Sequence, residues 1–128
     1  MLNGDSIMEE KQINFTEKDI NEVTVMCIKD ERLDSRISHL YKQEFVKMKD
    51  AGIHDVVVDL SDVDFIDSSG LGSLLLGRRL FTADEGDLRI VGAHEKVSKM
   101  FEIAKLDRVF EFFDDLDSAV ESFNEADV

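Results

Sequence analysis

Between Ser61 and Gly72 the chain reads Ser-Asp-Val-Asp-Phe-Ile-Asp-Ser-Ser-Gly-Leu-Gly, which sets two adjacent hydroxyls, Ser68 and Ser69, among the carboxylates of Asp62, Asp64 and Asp67. A serine can be a nucleophile, a phosphate acceptor or a helix cap, and its neighbours decide which. No histidine stands close in sequence and no Gly-x-Ser-x-Gly elbow is present, so nothing equips Ser68 for hydrolysis. Gly70-Leu71-Gly72 opens a helical pattern, but Leu75 occupies the third position of a dinucleotide fingerprint, and no phosphate-loop Gly-Lys-Ser/Thr occurs. His39, His54 and His94 are scattered without metal spacing. No catalytic residue, metal or cofactor is therefore assigned. What remains is a hydroxyl at a helix start, where unpaired backbone N–H groups and the positive dipole end suit a group that carries or meets negative charge.

The elements that must position this hydroxyl can be read in order. Val56, Val57 and Val58 form a continuous β-branched run, as expected of a central strand covered on both faces. After Ser68, Leu71, Leu74 and Leu75 give the apolar stripe of a helix that Gly86 closes. Upstream, alternation from Lys11 to Phe15, a polar turn at Glu17 to Asp19 and a second strand from Val23 to Ile28 predict a hairpin. A helix over Ser35 to Ala51 follows, capped by Asp34 or Ser35, with Ile37, Leu40, Tyr41, Phe45 and Met48 at helical spacing and Gly52 past its end. Downstream come a strand over Leu88 to Val91 and a helix carrying Val97, Met100, Phe101 and Ala104. A short strand over Val109 to Phe112 precedes a last helix from Asp114, with Leu116, Ala119, Val120 and Phe123 inward. Strands alternating with helices predict a single α/β domain: a mostly parallel sheet of about five strands, one antiparallel strand at its start, and helices packed on it.

The chain has 128 residues, enough for one core. Residues 1–9, without periodicity, read as a flexible leader, and residues 10–124 as the domain. Lys and Arg number 15 against 29 Asp and Glu, a formal net charge of -14, so nucleic acid and anionic membrane surfaces would be repelled. A hydrophobic content of 43% is too high for a disordered acidic chain. Cys27 is the one cysteine, inside an apolar run, and reads as a small buried group in a reducing compartment. No stretch has the roughly 20 apolar residues of a membrane span, and the N-terminus lacks the order of a secretory signal. These features predict a cytoplasmic protein without membrane insertion.

Two readings of the junction follow from the residues. In one, Asp67 and Ser68 are ordinary helix caps and the glycines only permit tight packing. In the other, the three carboxylates converge on one rim, with Phe65 and Ile66 pointing inward and Gly70 and Gly72 leaving room for a partner. A phosphate on Ser68 would add roughly -1.5 to -2 charge. The helix dipole would favour it by about 0.3 to 1 kcal/mol, while Asp64 and Asp67 would repel it. A partner packed against the neutral hydroxyl would then meet a charge costing several kcal/mol to desolvate.

Asp67-Ser68-Ser69-Gly70-Leu71-Gly72, preceded by Val-Val-Val-Asp-Leu and Asp-Phe-Ile, resembles the signature of the STAS domain, in particular the stand-alone anti-sigma-factor antagonists of bacteria. The matching element order covers about Glu10 to Phe123. The resemblance implies a non-catalytic regulator that, unphosphorylated, binds an anti-sigma factor and so frees a sigma factor for transcription. It implies an ATP-dependent serine kinase, usually the anti-sigma factor itself, that modifies the serine after the Asp, here Ser68 with Ser69 as its neighbour, and a serine phosphatase that reverses the step. The implied partner surface comprises Asp34, Asp62, Asp64, Asp67, Ser68, Ser69, Gly70, Leu71 and Gly72. Where the family commonly has Gly-Glu-Leu-Asp after its second strand, this chain keeps Leu33-Asp34 behind Glu31-Arg32. Two rivals stand beside that reading: a constitutive STAS scaffold in a signalling or transporter assembly, without phosphorylation, and an α/β enzyme using Asp67 and Ser68. An apolar patch near Phe112 and Phe113 would serve a weak homodimer.

Overall fold

The computed structural model describes residues 12–125; the expected leader, residues 1–9, lies outside them. The strands are β1 (Phe15–Ile20), β2 (Val23–Ile28), β3 (Arg32–Leu33), β4 (Asp55–Asp59), β5 (Phe65–Ile66), β6 (Asp87–Val91) and β7 (Phe112–Phe113). The helices are α1 (Ser38–Asp50), α2 (Ser68–Ala83), α3 (Glu95–Ile103) and α4 (Leu116–Glu125). A five-stranded sheet runs β1-β2-β4-β6-β7, antiparallel between β1 and β2 and parallel elsewhere. The mostly parallel sheet with its antiparallel first strand is thus as expected, and β4 is its middle strand.

The valine run explains the layering. Side chains alternate across a strand, so Val56 and Val58 enter the core cluster that holds Tyr41, Phe45, Leu74, Phe81 and Phe101, while Val57 enters a second cluster with Ala119 and Val120. Helices α1, α2 and α3 therefore cover one face of the sheet and α4 the other. Each fully buried valine contributes about 1.5–3 kcal/mol of transfer free energy. Phe45 meets Phe81 edge to face at 6.1 Å between α1 and α2. This packing holds the C-terminal half of α2 against α1.

Several boundaries differ from the sequence reading, each for a local reason. The first strand is Phe15–Ile20 rather than Lys11 to Phe15, and the expected turn at Glu17 to Asp19 lies inside it. The chain instead reverses at Asn21 and Glu22, both at positive φ (51° and 69°), a geometry suited to the twist of a two-residue hairpin. Because β1 is mostly exposed, its polar residues carry no alternation. Helix α1 starts at Ser38, not Ser35. Residues 34–37 form a tighter turn in which the Asp34 carbonyl accepts from the N–H groups of Ile37 and Ser38 at 3.1 and 2.9 Å. The last strand is only Phe112–Phe113, and α4 starts at Leu116, with the Asp115 carboxylate accepting from Ser118 N at 2.8 Å.

The patch expected at Phe112 and Phe113 is small. Phe112 is 37% exposed and packs edge-on to Phe101 at 5.0 Å, and Phe113 leans on the second core cluster. No helix among the described residues is long and apolar enough to cross a membrane.

Candidate functional site

Two residues of backbone pairing build the site. Strand β3 pairs in parallel with β5, Arg32 opposite Phe65 and Leu33 opposite Ile66. Leu33 and Ile66 are fully buried, and Arg32 and Phe65 face outward. Phe65, expected to point inward, is thus corrected: at 38% exposure it carries the Arg32 guanidinium 4.2 Å above its ring. The small ladder continues as a hydrogen bond from Asp67 N to Leu33 O at 3.3 Å, after which α2 begins. The end of β2, the β3–α1 corner and the start of α2 become one surface.

Asp67 is the N-cap of α2, in extended conformation, and its carboxylate accepts from Gly70 N at 2.9 Å and from Ser35 N at 3.2 Å. One side chain therefore both caps α2 and ties down the β3–α1 corner. Ser68 is the first helical residue and is exposed; Ser69 is half-buried. The capping role falls to Asp67, and Ser68 stands beside it, open to an incoming protein.

Of the three carboxylates expected on one rim, Asp62 and Asp67 already have partners. Asp62 pairs with Lys29 at 3.0 Å, a hydrogen bond that raises the lysine's pKa. Asp67 is occupied by two N–H groups. Asp64 is exposed, its backbone N–H donating to Glu31 O at 2.7 Å. The excess negative charge near Ser68 is consequently less than the sequence implies.

Three further residues of the expected contact surface have other places. Gly70 is buried: a Cβ there would stand 2.2 Å from Leu33 O and 2.8 Å from Ile66 Cγ1, so the missing side chain admits β3, not a partner. Leu71, 2% exposed, belongs to the core beneath. Asp34 is 7% exposed, and its carboxylate receives Arg36 Nε at 3.2 Å, Arg36 N at 3.1 Å and Arg32 Nε at 3.4 Å. The Arg36 hydrogen bond leads in holding its pKa below the usual carboxylate range. Gly72 is half-exposed, with open space where a Cβ would go. The accessible surface therefore comprises Ser68, Ser69, Gly72, Asp62 and Asp64 together with Phe65, Arg32 and Arg36. The last three were not singled out as site residues by the sequence reading. Two arginines flanking Leu33-Asp34 at positions 32 and 36 were the available signal.

Elsewhere, Tyr41 is buried, its hydroxyl 2.7 Å from Asp30 Oδ2 and 3.1 Å from Asn14 O, and burial pushes its pKa upward. That contact pins α1 to the end of β2. No group of three or more His, Cys, Asp or Glu side chains could hold a metal ion among the described residues.

The architecture is that of an α/β domain whose accessible serine opens a central helix at the sheet border. Residues 11–119 match the family model for the STAS domain, and the chain belongs to that family. A Thermotoga maritima protein provisionally named an anti-sigma factor antagonist is 27% identical over 108 residues, 84% of this chain and 95% of that one. A crystal structure from the same organism, with the same provisional name, shares 26% identity over 86% of this chain and 94% of its own, with a TM-score of 0.78. The structure of the anti-sigma factor antagonist SpoIIAA in its unphosphorylated form matches at TM-score 0.69 and 20% identity, covering 88% of this chain and 97% of that one, a likeness of fold.

Proposed function

We propose that this chain is an anti-sigma-factor antagonist that binds an anti-sigma factor when Ser68 is unmodified and releases it when Ser68 is phosphorylated. The partner is an ATP-dependent serine kinase of the anti-sigma type, and a serine phosphatase resets the switch. The observation that carries the reading is the exposed Ser68 at the first position of α2, with its neighbour Asp67 already committed to capping. Phosphate can be added there without dismantling the helix start, since the N–H of Gly70 keeps its acceptor. A charge on the docking surface then alters binding while the core beneath stays as it was. The names of the similar proteins support the same role.

The contact surface in this reading is Ser68, Ser69, Gly72, Asp62 and Asp64 with the outward row of Phe65 and Arg32, while Asp34, Asp67, Gly70 and Leu71 shape it from behind. Incubation with ATP and the purified anti-sigma kinase of the same organism, followed by mass mapping, should place one phosphate on Ser68 that Ser68→Ala abolishes. Ser68→Asp should weaken kinase binding by about 100-fold or more, the equivalent of some 3 kcal/mol, with little change in melting temperature. A label confined to other residues, or a loss of stability without selective loss of binding, would overturn the switch.

A further inference from the structure

On a protein of net charge -14, three cations, Lys29, Arg32 and Arg36, gather at the β3–α1 corner among the acids Asp30, Glu31 and Asp34. Arg32 and Arg36 have side chains 54% and 59% exposed, and both lean on the single carboxylate of Asp34. Each reaches it through Nε, and the Nη groups of neither donate to any acceptor among the described residues. A guanidinium carries five N–H donors, so two forks are anchored at their base with their outer donors to spare. Lys29, Arg32 and Arg36 also border an open cleft of about 500 Å³, which gives the guanidiniums room to turn.

The parallel ladder fixes which way these groups face. Arg32 and Phe65 face outward and Leu33 and Ile66 inward; beyond this last pair Asp34 enters the turn over residues 34–37, 7% exposed, and Asp67 caps α2. Adjacent rows in such a ladder lie about 4.8 Å apart, and the bond from Ser35 N to Asp67 Oδ2 keeps the two rows together beyond the last pair. Ser35 is followed by Arg36 and Asp67 by Ser68, so this bond sets Arg36 and Ser68 on neighbouring segments, while Arg32 reaches the same corner through Asp34.

We infer that Arg32 and Arg36 form a cis-acting clamp for the phosphate of phosphorylated Ser68, a role that rests on the reading of Ser68 as the modified residue. The clamp supplies donors that a phosphate would otherwise lack on a rim bearing Asp64 and Asp67, while the Nε contacts to Asp34 stay in place. Bidentate Nη contacts are the geometry in which arginine holds phosphate best. Closing the clamp turns the Arg32 guanidinium about its Nε anchor toward the phosphate and tilts it off the Phe65 ring. Phosphorylation then changes the docking surface twice, by adding an anion and by withdrawing the cation stacked on the exposed aromatic.

The test needs no kinase. Phosphoserine is installed at position 68 of the full chain during translation, and the phosphate is titrated by phosphorus NMR. Arg32, Arg36 and Lys29 favour the dianion, opposed by the carboxylates of Asp30, Glu31, Asp34, Asp64 and Asp67, so the second pKa should lie below that of the Arg32→Gln/Arg36→Gln variant by about one unit. Each single variant, kept in reserve should the double variant fail to fold, should recover part of that shift. The Lys pair should retain more of it than the Gln pair. Arg79→Gln, roughly 16 Å along α2 from Ser68 and beyond the Debye length of about 8 Å, should change nothing. Equal titration in the wild-type and Gln variants, or an equal effect of Arg79→Gln, would overturn the clamp. Because the phosphate is installed directly, that failure leaves kinase labelling of Ser68 untouched, whereas an unlabelled Ser68 in the kinase assay would overturn the clamp's role together with the proposed function.

Discussion

Alanine at Gly70 and alanine at Gly72 should move stability in opposite directions, although one residue separates them in the same helix. Propensity alone favours both changes by about 1 kcal/mol, because alanine restricts the unfolded chain and suits a helix interior better than glycine. At Gly72 nothing lies within 4 Å of the added methyl, so that gain should appear as about 0.5 to 1 kcal/mol. At Gly70 the methyl would stand 2.2 Å from Leu33 O, well inside the roughly 3.5 Å of a comfortable contact. The obstacle is backbone, and it cannot rotate away. Overpacking of this kind costs about 1–3 kcal/mol, and pushing β3 off breaks the bond from Asp67 N to Leu33 O, worth about 1 kcal/mol more. With the propensity gain set against these costs, Gly70→Ala should lose about 2 kcal/mol, and at roughly 4 °C per kcal/mol melt about 8 °C lower. Urea unfolding of the two variants beside wild type gives both values from midpoints at constant slope. If Gly70→Ala proved as stabilising as Gly72→Ala, β3 would be free to retreat, and the account of how Arg32 and Asp34 are held beside Ser68 would fail.

Two other substitutions probe the same corner. Asp67→Ala removes the acceptor of both Gly70 N and Ser35 N and should cost about 2 kcal/mol in urea unfolding; hydrogen exchange should quicken at both amides, and unchanged exchange at Ser35 would show that the tie does not hold the corner. Asp34→Asn tests the carboxylate between the arginines, whose pKa is lowered on folding. A group lowered in this way contributes stability that is present above its unfolded value of about 3.9 and is lost as pH falls through the folded one. The stability gap between wild type and Asp34→Asn should therefore be widest at neutral pH and close progressively below about pH 4, whereas a gap that is constant or grows in acid would contradict the assignment.

The parts of this fold legible in the sequence are those where burial repeats with a period. Val56 to Val58 announce a two-faced strand because consecutive residues enter different cores, and α2 is announced by Leu71 and Leu74 behind the Asp67 cap. The β3–β5 ladder is not legible, since two residues per strand cannot establish alternation, and the inward direction expected of Phe65 followed from lacking it. The slipped hairpin has a related cause. Strand β1 sits at an edge and buries little, and its turn uses Asn21 and Glu22 at positive φ where glycine would have been the signal. At the site, Asp67 and Ser68 could be placed from residue type alone. The pairing of Asp62 with Lys29 and the gathering of Arg32 and Arg36 onto Asp34 depend on chain segments meeting across the ladder, which no local spacing records.

An open sheet is liable to pair with copies of itself at its borders, and the borders of the main sheet bear on this. On one side the outermost strand carries Thr16, Glu17, Lys18 and Asp19 in the open; on the other the last strand is two residues long. Charge at the first and brevity at the second leave little backbone on which a foreign strand could extend the sheet. Contacts with other proteins are thereby left to side chains rather than to backbone.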